Sequence, residues 1–154
     1  MSTVFWDAEG VLLVDYMPHK TTITGETYAN QLQLLKEAIK EKRRGKLSKG
    51  ILMLHDNAPV HRSRKSMAAL RDCGFEEINH PPYSPDLAPS DYFLFRNLKK
   101  HLRGYRFLDD NELKEAVNQW FGDQTSDFYL SGITSLQMKW RKCVELRGDY
   151  IEKQ

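Results

Sequence analysis

The chain has 154 residues, 40% of them hydrophobic and 29% charged, which fits one folded domain with a moderate core and reads as globular rather than disordered. Its formal net charge is only +2, so nucleic acid is neither demanded nor excluded, and any basic face must be local. No apolar run approaches a membrane span of about 20 residues.

Met1-Ser2-Thr3 leads into Val4-Phe5-Trp6 without a signal or transit peptide. Cys73 and Cys143 lie far apart and form no CxxC pair, which points to buried thiols in a reducing, intracellular compartment. Thr3 to Trp6 and Val11 to Tyr16 are short β-prone runs around the turn signal Asp7-Ala8-Glu9-Gly10, so the chain opens as a hairpin that Pro18 ends. Thr24 is placed to cap a helix with Tyr28, Leu32, Leu35 and Ile39 on one face, stopped at Gly45. Gly50-Ile51-Leu52-Met53-Leu54 is a continuous apolar run and reads as a strand buried on both faces.

After a turn at His55-Asp56-Asn57-Ala58-Pro59, a helix with Met67, Leu70 and Cys73 stops at Gly74, and Phe75 to Ile78 forms a short strand. His80 to Ser90 is a proline-rich loop. Ser90 is expected to cap a helix starting at Asp91, with Phe95, Leu98 and Leu102 facing the core. Asp109 caps another helix carrying Leu113, Val117 and Trp120, and Leu136, Trp140, Cys143 and Val144 mark a last one closed by Gly148. No internal repeat or long linker divides the chain, so residues 1–154 read as one α/β layered domain.

Two acids stand out. Asp56 follows a buried strand, where α/β sheets present ligand groups, and Asp91 opens a helix behind Pro85 and Pro89. Such carboxylates suit a hard divalent cation, and paired ions can stabilise the attacking and leaving oxygens of a phosphodiester displacement. An ordinary reading stands beside this one: Asp56 with Asn57 can cap the following helix, and Asp91 can favour a helix dipole. Lys40, Lys42, Arg43, Arg44, Lys46 and Lys49, and separately Arg62, Arg64, Lys65, Arg96, Lys99, Lys100 and Arg103, are candidate phosphate contacts or merely solvated helix ends. His55 and His61 lack a third soft ligand for zinc, and Trp6, Trp120 and Trp140 read as core.

The words around these acids carry a resemblance. Leu54-His55-Asp56-Asn57-Ala58-Pro59-Val60-His61 resembles the "HDNAxxH" signature of mariner-family transposases, and His80 to Tyr92 resembles their "PPYSPDLAPSDY" signature. The 34 residues between Asp56 and Asp91 match the family's spacing for its second and third catalytic aspartates. Phe5-Trp6-Asp7, Thr21 to Tyr28 and Trp140 to Val144 are similar to further mariner words, so the resemblance spans essentially the whole chain.

The resemblance implies an RNase H-like α/β fold and a three-aspartate reaction dependent on Mg²⁺ (or Mn²⁺), in which transposon ends are cut and joined to a TA target in DNA. It makes Asp56 and Asp91 the catalytic, metal-binding carboxylates; Lys42, Arg43, Arg44, Arg62 and Lys99, taken from the basic clusters above rather than from the resemblance, are the expected DNA contacts. Asn57, His61 and the Pro85–Pro89 loop would shape the site. A nuclear location follows from the same likeness, no membrane is implied, and a homodimer stays open.

The family's first aspartate lies in a "GDE" word upstream of the word matched by Phe5-Trp6-Asp7, and its end-binding helix-turn-helix domains lie further upstream still. The expectation is therefore a fold incomplete at its N-terminus and missing its central strand, which leaves two strand edges unpaired. Asp7 is expected at the hairpin turn rather than in the site. Metal binding is expected to be weak, DNA binding weak and sequence-independent, and cleavage absent, with no effect of Asp7→Ala. The alternative is a domesticated or relic module that binds nucleic acid or protein without catalysis.

Overall fold

The computed structural model describes residues 2–18, 21–56, 58–78 and 87–145. Its contacts divide the chain into two units, Met1–Trp6 with Leu12–Tyr83, and Asp7–Val11 with Ser84–Gln154.

The chain opens with strands β1 (Ser2–Asp7) and β2 (Gly10–Tyr16), paired as the expected hairpin. The Asp7 carboxylate closes the turn: its Oδ1 accepts from the backbone N–H of Glu9 at 2.9 Å and of Gly10 at 3.1 Å. Gly10 has φ 143°, which side chains disfavour, so the turn residue is fixed by backbone geometry. Helix α1 (Gly25–Lys42) starts at Thr24, whose hydroxyl accepts from the Thr27 N–H at 3.1 Å. Tyr28, Leu32, Leu35 and Ile39 form its buried face, as their spacing requires.

Strand β3 (Ile51–Leu54) pairs in parallel with β4 (Phe75–Ile78), Ile51 opposite Phe75 and Leu54 opposite Ile78. Between them run a 3₁₀ turn (Pro59–Arg62) and helix α2 (Arg64–Cys73), closed by Gly74 in the left-handed conformation. The core of the first unit joins Leu12 of β2, the buried face of α1, Met53, Phe75, and Leu70 and Cys73 of α2. The Cys73 thiol is buried and directed at the Leu32 carbonyl.

The described strands form two separate pairs, β1 with β2 and β3 with β4, and none joins the pairs. The expectation that β3 is buried on both faces fails: Met53 is buried, but Leu52 is 65% exposed. Successive strand residues face opposite ways, and within this unit the core lies on the Met53 side only.

In the second unit the chain re-enters with Leu87 buried and passes through a π-helical turn (Ser90–Leu94) into α3 (Phe95–Leu102). Ser90 is not the cap. Pro89 occupies that position without a side-chain hydrogen bond, and the Asp91 and Tyr92 N–H groups both donate to the Ala88 carbonyl, at 2.9 and 3.0 Å. The wide turn shifts the buried face, so Tyr92 and Leu94 enter the core while Phe95, Leu98 and Leu102 are only half-buried.

Helix α4 (Asp110–Asp123) is capped by Asp109, whose Oδ1 accepts from the Glu112 N–H at 2.8 Å. Helix α5 (Ser126–Glu145) begins ten residues before Leu136, because Ser126 to Ser135 already continue its pattern. Trp120, Phe121 and Tyr129 are buried, with Phe128 edge-on to Trp120 at 5.7 Å. Gly148 lies outside the described residues, as do the side chains of Cys143 and Val144. No helix among the described residues is long and apolar enough to cross a membrane.

Candidate functional site

Asp56 leaves the end of β3 and begins the turn into the 3₁₀ segment. Its side chain is 62% exposed, yet it is held in place. Oδ1 accepts from His61 Nδ1 at 2.9 Å and from the Ala58 N–H at 3.3 Å. His61 Nδ1 also lies 3.0 Å from the Asp56 backbone carbonyl.

Behind this turn runs a polar chain, buried at Tyr28 and ending at the exposed Arg62. Tyr28 Oη is 2.6 Å from His55 Nδ1, His55 Nε2 is 3.2 Å from Glu77 Oε2, and Arg62 Nη2 is 2.6 Å from Glu77 Oε1. Burial raises the Tyr28 phenol well above its usual range, helped by the charges of Asp56 and Glu77, so Tyr28 donates and His55 Nδ1 accepts. His55 then carries its proton on Nε2, facing Glu77. Burial also lowers the His55 pKa, against the opposing pull of Glu77, so this imidazole is neutral. The chain spans α1, β3, the 3₁₀ turn and β4, and sequence spacing gave no sign of it, because Tyr28 and Glu77 lie 27 and 22 positions from His55.

Asp91 is the second residue of the π-helical turn and is exposed. The turn is anchored through its next two residues. Tyr92 Oη donates to the Gly132 carbonyl at 2.6 Å, Ser135 Oγ lies 3.1 Å from it, and the Lys139 ammonium stands 4.7 Å over its ring. Phe93 packs on Gly132 so closely that a Cβ there would collide with its ring. Asn97 Nδ2 donates to the Phe93 carbonyl at 2.8 Å. Asp91 heads one stripe of the helix, and with Phe95, Arg96, Lys99, Lys100 and Arg103 it lines an open groove of about 670 Å³.

The remaining sequence candidates divide. Lys99 lies on that groove. Lys42 donates to the Leu12 carbonyl at 2.9 Å and ties the end of α1 to β2, while Arg43 donates to the Lys42 carbonyl at 3.1 Å. Arg44 is exposed in the following turn. Arg62 is paired with Glu77. Asn57 and residues 79–86, which include Pro85, lie outside the described residues. Among the described residues no group of three or more His, Cys, Asp or Glu is placed to hold a metal ion by itself.

Residues 1–49 match the family described as transposase, partial DDE domain. The catalytic domain of Mos1 mariner transposase superposes with a TM-score of 0.93 at 35% identity, covering 96% of this chain and 74% of that one. The chain belongs to the mariner transposase family.

The mariner fold is RNase H-like, and the present helices and strands reproduce that part of it which the match covers. Full-length Mos1 transposase of Drosophila mauritiana is 36% identical over 99% of this chain and 45% of its own length. The human histone-lysine N-methyltransferase SETMAR is 34% identical over 99% of this chain and 22% of its own length. The chain thus spans less than half of either curated relative.

Proposed function

We propose that the chain is the DNA-processing part of a mariner transposase catalytic domain, with Asp56 and Asp91 as its metal-binding carboxylates and the cationic stripe of α3 as its phosphodiester contact. The observation that carries this reading is the groove at Asp91, where one helix face sets a carboxylate in line with Arg96, Lys99, Lys100 and Arg103. A carboxylate among four cations suits a phosphodiester approached by a divalent ion, since the cations hold phosphate oxygens and the acid holds the metal. Residues 1–154 are read as one domain, and a nuclear site of action goes with this reading.

The donor chemistry fits Mg²⁺ or Mn²⁺: both acids are exposed, hard-oxygen ligands on well-anchored turns. Solved structures of the Mos1 catalytic domain with Mg and with Mn, and of its paired-end complex, support the same choice of ion and of DNA as partner. When bound, such an ion would polarise a phosphoryl oxygen and activate water. The chain's own contribution is positional: His61 and Ala58 orient Asp56, Tyr92 and Phe93 seat Asp91, and Lys99 with its neighbours holds the backbone.

A second reading, a nucleic-acid-binding module that does not cut, is favoured by the spending of Asp7 on the hairpin turn and by two carboxylates being few for a metal pair. Labelled transposon-end and scrambled duplexes titrated at several salt concentrations, with Mn²⁺ present, test both readings. Weak binding that falls with salt and is lessened by Lys99→Ala is expected. Cleavage that Asp56→Ala abolishes would decide for the catalytic reading, and salt-independent binding would contradict both.

A further inference from the structure

We infer that His61 is a positioning residue for Asp56, acting through an Nδ1–H donated to the carboxylate and the backbone carbonyl of that one residue. The inference rests on the reading of Asp56 as a metal ligand and goes beyond it by naming what holds the ligand still.

The geometry allows one arrangement of protons. A backbone carbonyl oxygen only accepts, so the 3.0 Å contact between His61 Nδ1 and the Asp56 carbonyl exists only if Nδ1 carries the hydrogen. The same hydrogen is shared with Oδ1 at 2.9 Å. Nε2 is then the ring's other nitrogen and is not needed for the contact.

The direction of that N–H is set by rings around it. His61 stacks on His55 with centroids 4.6 Å apart and planes within 3°, and it leans on Tyr28 at 4.2 Å. Tyr28 and His55 are in turn hydrogen-bonded to each other at 2.6 Å, so the three rings form a closed triangle. His55 itself stands 3.2 Å from Glu77, and its side chain is only 6% exposed. The imidazole of His61 is therefore fixed by packing on a buried base, although the acid it holds lies in solvent.

An exposed aspartate otherwise samples several rotamers, and ordering one at the moment of metal binding costs conformational entropy. Here both hydrogen bonds that the described residues give the side chain fall on Oδ1, from His61 and Ala58. Oδ2 is the oxygen left to face a cation. A carboxylate held at one oxygen and offered at the other is the arrangement that supporting groups give metal ligands in general.

The sequence word that contains both residues has the matching spacing. His61 stands five positions after Asp56, and the 3₁₀ turn beginning at Pro59 folds it back over the acid. The His61 N–H bonds the Ala58 carbonyl at 2.9 Å, which fixes the backbone from which the ring projects.

The test uses the full chain and two readouts. Long-range ¹H–¹⁵N spectra of the His61 ring should show the Nδ1–H tautomer, and an Nε2–H tautomer overturns the inference. Mn²⁺ affinity, followed by calorimetry, should fall about tenfold in His61→Ala. His61→Asn, which places an amide nitrogen where Nδ1 stands, should restore affinity to within about threefold of the parent, whereas His61→Gln, whose nitrogen falls at Nε2, should not. Asn and Gln behaving alike, or Ala binding Mn²⁺ as the parent does, overturns the inference. If Asp56→Ala binds Mn²⁺ like the parent, the metal-ligand reading of Asp56 fails instead, and the tautomer still decides the His61 contact.

Discussion

The two acids that carry the mariner likeness are held by different physics. Asp56 is gripped by hydrogen bonds from an imidazole whose ring rests on buried, uncharged partners. Asp91 makes its place through backbone shape: a π-helical turn docked by Tyr92 and Phe93 onto a glycine of α5. The first arrangement depends on protonation and the second on packing. Each should therefore fail under a condition that leaves the other intact.

The largest effect is expected at Gly132. An added Cβ would meet the Phe93 ring, and Gly132→Ala should cost about 2 kcal/mol of stability as the turn is pushed off α5. Amide hydrogen exchange should show the loss across the residues around Asp91, while β3 and β4 keep their protection. Equal loosening in both places would remove the distinction.

Acid should do the reverse. His55 ordinarily titrates near about 6.5, and burial lowers its value in the fold. As pH falls below about 6.5 the unfolded chain takes up this proton before the folded one, so stability drops from there down to the folded value and is unaffected above it. Melting curves from pH 7.5 to 5 should show the decline, and His55→Gln should flatten it. A decline of the same slope in His55→Gln would show that another group is responsible.

How much of this was legible beforehand follows the same divide. The hairpin, the Thr24 and Asp109 caps and the Gly74 stop depend on neighbours in sequence, and they stand where residue chemistry puts them. Asp7 likewise announced its turn through Gly10. Ser90 misled, because a serine before an acid looks like a cap, whereas the Ala88 carbonyl takes both N–H groups and the wider turn rotates Tyr92 inward. Leu52 misled because an apolar run does not say how many layers cover it. Nothing local ties Tyr28 to His55 or His55 to Glu77, so the base under Asp56 was invisible until the strands were paired.

A smaller effect sharpens the contrast on the packed side. Tyr92→Phe removes the donor to the Gly132 carbonyl and the contact with Ser135, and should cost about 1 kcal/mol without altering the pH profile. Urea melts of the parent and the variant at two pH values check this. The smallest change in stability, within about 0.5 kcal/mol, is expected for Lys99→Ala, since its side chain is exposed on the groove. Its signature lies in binding, where the slope of log affinity against log salt for duplex DNA should fall by about 1.

The central claim is that Asp56 and Asp91 are the metal-binding carboxylates of this chain. Titrating Mn²⁺ into the ¹⁵N-labelled protein tests it most directly, because the ion broadens signals close to where it binds. The account predicts early broadening of amides around Asp56 and around Asp91, with the first set spared in Asp56→Asn and the second in Asp91→Asn. Broadening confined to other acidic surfaces, such as Asp109 and Asp110 at the start of α4, would contradict it.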